Sequence, residues 1–174
     1  MAPDTAETHI ETLIHSAFNE GRCGDFYIVD LVISGGSQIA VYVDGDEGLN
    51  LEQCKQISRT LEAILDEEPS LGGHYSLEIS SPGVTRPLKF LRQYRKHIGR
   101  MLDIRLADGN KAEGILKECL PNGISIEMPS KEHKGDPVER EIPFEEIQET
   151  MVQVQFGKIK KEKREKKTKK KKKK

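Results

Sequence analysis

The stretch LEISSPGVTRPL, Leu77 to Leu88, divides the chain in two. A strand-like run with Tyr75, Leu77 and Ile79 on one face stops at Ser80-Ser81-Pro82-Gly83, and a basic segment begins at Arg86-Pro87. Pro82 presets φ at the first central position of a turn, and Gly83 supplies the positive φ that a type II turn requires at the second. The Ser80 and Ser81 hydroxyls can bond to nearby backbone, and Pro87 pushes Arg86 into an extended conformation. Ser80, Ser81, Pro82, Gly83, Arg86 and Pro87 together read as a stiff interdomain turn. It joins an acidic α/β domain at 1–85 to a second domain at 86–157.

Upstream of the turn, Ile10, Leu13, Ile14, Ala17 and Phe18 recur at helical spacing, so His9 to Phe18 reads as an amphipathic helix ended by Gly21 and Gly24. Phe26 to Ile33 and Gln38 to Val43 read as an antiparallel hairpin around Gly35-Gly36. Asn50 with Gln53 three residues on is a capping-box variant, and it opens a helix over Leu51 to Asp66. Tyr75 to Ser80 is the third strand. The order α-β-β-α-β gives a KH-like two-layer domain with both helices on one face. Gly21-Arg22-Cys23-Gly24 has the spacing of an RNA-clamping Gly-x-x-Gly loop. It lies between a helix and a strand, however, and reads as a helix terminator.

Downstream, Leu88 to His97 reads as a short helix. Met101 to Leu106, Ala112 to Cys119, Ile124 to Met128 and Val138 to Ile142 read as strands, followed by a one-turn helix at Phe144 to Ile147 and a last strand at Met151 to Phe156. Five short strands with a helical turn before the last describe an SH3-like or Sm-like five-stranded β-barrel. The fold class expected is thus α+β. Residues 158–174 are almost pure Lys with no apolar spacing and are expected to be a disordered tail.

The formal net charge of −1 hides a segregation: residues 1–85 balance at −12, 86–157 at zero and 158–174 at +11. Such asymmetry points to polyelectrolyte or charged-protein partners, not a small neutral substrate. No apolar run is long enough to cross a bilayer, and the N-terminus has no basic and apolar leader pattern. Three widely spaced cysteines without a Cys-x-x-Cys fit a reducing cytoplasm and argue against disulfides or structural zinc. The five histidines are scattered, and Asp44-x-Asp46 lacks the further ligands of a calcium loop. No phosphate loop or nucleophile elbow is present. The expectation is a protein with no catalytic residue, no metal and no cofactor.

The turn motif, the run Asp25 to Pro69 and the segment Ile98 to Glu118 together resemble the bacterial ribosome maturation factor RimP family, across residues 8–157. Thr85 stands where that family usually has Asp, which leaves the turn intact but removes any contact of the acidic side chain. The resemblance implies a cytoplasmic, monomeric, non-catalytic factor that binds the immature small ribosomal subunit. Its partners would be rRNA and ribosomal proteins near the decoding centre, with the Met101 to Glu118 hairpin as a protein contact. The alternative is an Sm-like general RNA-binding module acting on free RNA.

Arg86, Lys89, Arg92, Arg95, Lys96 and Arg100 are the candidate RNA-binding residues. Seven cations lie between Arg86 and Arg105 against Asp103 alone. On a helix Lys89, Arg92 and Lys96 share one face. Two readings stand: a phosphate-contacting patch, or a helix face whose cations pair with the acidic first domain.

Overall fold

The computed structural model describes residues 5–128 and 137–154. The expected disordered tail and most of the Pro129–Pro137 loop lie outside the described residues. The elements run α1 (Thr5–Asn19), β1 (Tyr27–Ser34), β2 (Gln38–Asp44), α2 (Leu51–Leu65), β3 (Ser76–Ser80), α3 (Leu91–Arg95), β4 (Met101–Leu106), β5 (Lys111–Leu120), β6 (Gly123–Met128), β7 (Val138–Pro143) and β8 (Ile147–Val152).

The first three strands form one sheet in sequence order, β1 antiparallel to β2 and β2 parallel to β3, with α2 as the crossover. Alternation along β2 sends Ile39, Val41 and Val43 to one face, where they meet Ile10 and Ile14 of α1 and Ile57, Leu61 and Leu65 of α2. Burying each such aliphatic side chain contributes roughly 1.5–3 kcal/mol, and this shared core is why both helices lie on the same side. Asn50 Oδ1 accepts from the Gln53 amide while Gln53 Oε1 accepts from the Asn50 amide, both at 2.9 Å, so α2 opens with the expected reciprocal cap. At the end of α1, Gly21 takes φ +74° and the Arg22 amide bonds back to the Ala17 carbonyl. That is helix termination, as the spacing of Gly21 and Gly24 implied.

The second sheet is antiparallel, in the order β7-β6-β5-β4-β8. Leu102, Ile104, Leu116, Ile124, Ile126, Ile142 and Val152 build its core together with Leu88 and Tyr94 from the connecting segment. The expected barrel is corrected here. β7 and β8 are consecutive in the chain yet lie at opposite edges, joined only through the 3₁₀ turn Phe144–Glu146. So short a link makes the sheet curl until its edges approach at that end. Among the described residues no ladder joins β7 to β8, and the sheet is open. Part of the β8 backbone is engaged instead by the connecting segment, whose Leu88 amide donates to the Thr150 carbonyl at 2.9 Å.

The last strand also begins earlier than its composition suggested, at Ile147 instead of Met151. Thr150 is the reason. It points inward fully buried, its hydroxyl accepting from Tyr94 Oη at 2.9 Å, so a polar residue occupies a core position and masks the alternation.

Gly123 sits where β6 presses against β7, and a Cβ there would stand 2.5 Å from the Ile142 carbonyl oxygen. Gly123→Ala is therefore expected to destabilise the second sheet by at least about 1–3 kcal/mol, the usual cost of forcing atoms into a packed site. Hydrogen exchange would show the loss confined to β4–β8, with α2 and β2 keeping their protection.

Candidate functional site

The face of the first sheet opposite the helices carries Tyr42 and Asp44 on β2, and on β1 a bulge decides what joins them. Pairing slips between Ile28 and Asp30, so Val29 is the extra residue. Strict alternation would put Tyr27 and Asp30 on opposite faces. The bulge brings both to the open face, Tyr27 opposite Asp44 and Asp30 opposite Tyr42.

The chain leaves β3 at Ser80 and turns with Gly83 at φ +56°, as the sequence motif anticipated for that position. It then runs across this open face. Arg86 pairs with Asp30 and lays its guanidinium over the Tyr42 ring, 3.4 Å from the centroid. A stacked, ion-paired arginine resists replacement by lysine, which lacks the flat fork. Lys89 reaches the other oxygen of Asp30 at 3.1 Å. Phe90 meets Tyr27 edge-on, centroids 5.8 Å apart.

Gln93, 1 % exposed, fixes the start of α3: its Oε1 accepts from the Lys89 and Phe90 amides at 2.8 and 3.0 Å. From that helix Arg92 donates through Nε to Asp46 at 2.7 Å and lies over the Tyr27 ring at 4.0 Å. One turn on, Lys96 pairs with Asp44, whose exposure is only 2 %.

Four of the six candidate cations thus close a clasp with the acidic unit, an outcome in keeping with the second reading of the basic segment. Arg95 and Arg100 differ. Both are exposed, and among the described residues neither has a carboxylate at ion-pairing distance. Of the turn-motif residues, Pro82 is buried and Arg86 pairs with Asp30; next to them, Thr85 directs its hydroxyl to the Pro82 carbonyl at 3.5 Å.

The acceptors Asp30, Tyr27, Asp44 and Asp46 were not singled out from sequence as a site. Asp30 carried a signal, being a charge in the middle of the apolar run YIVDLVIS. Asp44 and Asp46, set aside as calcium ligands, are ion-pair acceptors on either side of Gly45.

The electrostatics follow from this crowding. The hydrogen bond from Arg92, with the charges of Arg92, Arg95 and Lys96 behind it, holds the Asp46 carboxyl below its ordinary value. Burial first, then the neighbouring Asp44 charge, keeps the Tyr27 phenol protonated well above its usual range. Burial, helped by the charges of Lys96 and Arg100 and opposed by Asp44, lowers His97.

Among the described residues no group of three or more His, Cys, Asp and Glu side chains stands close enough to hold a metal. A groove of about 560 Å³ beside the connecting segment is lined by Leu88, Leu91, Tyr94, Phe144 and Ile147, with Lys89 and Glu149 among its polar residues. Among the described residues no helix is long and apolar enough to cross a membrane.

A family model described as the RimP N-terminal domain matches residues 21–85. The chain is 35 % identical to the ribosome maturation factor RimP of Flavobacterium psychrophilum, over 76 % of this chain and 88 % of that protein. It is 32 % identical to the protein of the same name from Christiangramia forsetii, over 84 % and 97 %. For that of Cytophaga hutchinsonii the figures are 31 %, 86 % and 97 %.

Two outcomes follow from this geometry. Lys96→Ala strands the buried Asp44 carboxylate and is expected to destabilise the chain by about 3–5 kcal/mol, measured by urea unfolding. The lowered His97 makes the folded state release its proton more readily than the unfolded chain. Stability should therefore fall as pH drops below about 6.5, the ordinary imidazole value. His97→Asn should flatten that dependence between pH 7.5 and 5.5, and an unchanged slope would assign it elsewhere.

Proposed function

The chain belongs to the RimP family, and on that premise we propose that it is a non-catalytic assembly factor that binds immature small ribosomal subunits in the cytoplasm and promotes their maturation. The observation that carries this reading is the match, at 31–35 % identity over most of each chain, to proteins named ribosome maturation factors. The physical division of labour is read from charge. Arg95 and Arg100, with the more exposed members of the clasp, offer N–H donors to rRNA phosphates. The Lys-rich stretch 158–174 adds sequence-independent attraction. The unit at 1–85 has an excess of 12 negative charges and suits basic ribosomal proteins. In finer terms the first unit is KH-like and the curled second sheet SH3-like, with its β4–β5 hairpin as the protein-facing contact.

Such a factor works by differential affinity. Only tighter binding to an assembly intermediate than to the finished particle shifts the population forward, and release follows from the same difference. A ring-forming Sm-like module acting on free RNA is the weaker reading, because the relatives align through both sheets and not the second alone. Size-exclusion separates the two: the maturation factor runs as a monomer.

Occupancy measured by quantitative sedimentation should be several-fold higher on free small subunits than on complete ribosomes. Equal occupancy would count against maturation. Arg95→Glu with Arg100→Glu should weaken binding to free subunits at physiological salt and reduce the log–log salt slope by about two units, one for each phosphate left without its arginine.

A further inference from the structure

We propose that the outer half of the clasp is an exchange site: RNA phosphates take Lys89 and Arg92 from Asp30 and Asp46, so the acidic unit partly closes the RNA-binding face in the free protein. The inference rests on the rRNA-binding reading above and adds its regulation.

The clasp divides by exposure. In the inner half, the Lys96 side chain is 21 % exposed against 2 % for Asp44. Removing Lys96 leaves a carboxylate that water cannot reach, so this pair holds. In the outer half, Arg92 is 39 % exposed and Asp46 66 %, and Lys89 is 44 % exposed. Water already reaches these groups, and their release strands nothing. Asp46 freed of Arg92 is solvated. Asp30 freed of Lys89 keeps Arg86, because it holds two cations at once.

The chemistry of exchange is conservative. A phosphate oxygen accepts from the Arg92 Nε–H or the Lys89 ammonium with the geometry that the carboxylate oxygens use now. Arg95 and Arg100 are the landing groups. They lie at the end of α3 and just beyond it, exposed and without an ion pair among the described residues, so an RNA backbone can engage them before any aspartate is displaced. Arg95 is also close enough to Asp46 to help depress its carboxyl, so the landing group and the gate share one field. A backbone held at Arg95 then competes for Arg92, three residues earlier on α3, at high local concentration. The inner pairs keep the two sheets together while the outer cations change partner.

The test uses the full chain with a fluorescein-labelled 20-nucleotide single-stranded RNA, and in parallel purified small subunits. Asp46→Asn removes the competitor for Arg92 and is expected to tighten RNA binding about two- to fivefold, the worth of an exposed ion pair. Glu11→Gln makes the same change of charge on α1, across the sheet from the clasp, and is expected to leave affinity within error. An equal gain from both variants would reduce the effect to net charge and overturn the exchange site. So would no gain from Asp46→Asn while the parent chain binds RNA.

If the parent chain binds neither RNA nor subunits, the rRNA-binding reading itself fails and the exchange site with it. A measurement on the unmutated protein guards against altered folding. RNA titrated into labelled protein should move the Arg92 side-chain Nε–H resonance and the Asp46 amide while leaving the Asp44 and Gly45 amides in place. Movement of all four together would mean that the sheets separate as a whole, and the two-part clasp would be wrong.

Discussion

A carboxylate that water cannot reach must have a cation, and Asp44 imposes that condition on the whole chain. It ends β2 at 2 % exposure, on the face of the first sheet opposite α1 and α2. The cation comes from Lys96, 52 residues further on, at the end of a five-residue helix in the connecting segment. For Lys96 to arrive there the chain must turn sharply after β3 and stay against the sheet. Arg86 secures the first point, stacked on Tyr42 and paired with Asp30, and Gln93 holds the backbone where α3 begins. Two small cores that share no strand are thereby tied to one another by charge and aromatic contacts.

The arrangement gives the basic segment two kinds of work. Its less exposed cations, Arg86 and Lys96, are structural, and the charge they carry is committed to aspartate. Its exposed ones remain available to a polyanion. A sequence-level sum of positive charge along Arg86 to Arg105 therefore overstates the field presented to RNA, since Asp30, Asp44 and Asp46 offset much of it at close range. Burial, with the Lys96 and Arg100 charges beside it, lowers His97, and the hydrogen bond from Arg92 holds Asp46 below an ordinary carboxylate. In a RimP family member this is a reasonable economy. The polyanionic partner proposed above supplies dense negative charge, so a few free arginines suffice for contact while the others hold the two sheets together.

Much of the fold was legible because it rests on local rules. The Asn50–Gln53 cap, the termination of α1 at Gly21, the alternation of Ile39, Val41 and Val43, and the positive φ at Gly83 each depend on residues within a turn of one another. Where local pattern misleads, a buried polar residue or a long-range closure is responsible. Thr150 points inward because Tyr94 gives it a hydrogen bond, so β8 started four residues before its pattern showed. The closed barrel failed for a related reason. Whether two sheet edges join depends on curl and on which segments occupy the edge backbone, and Leu88 takes part of that of β8.

By itself the sequence determined the order of helices and strands, the break at Ser80 to Pro87 and the segregation of charge. These follow from periodicity, turn chemistry and composition, which act between neighbours in the chain. Only the tertiary structure decided which cations are free. Asp30 and Lys89 lie 59 positions apart, and Tyr27 shares a face with Asp30 because one extra residue, Val29, resets the pleat. Register and bulge fix such pairings in space, and no local pattern encodes where a strand fifty residues away will turn its side chains.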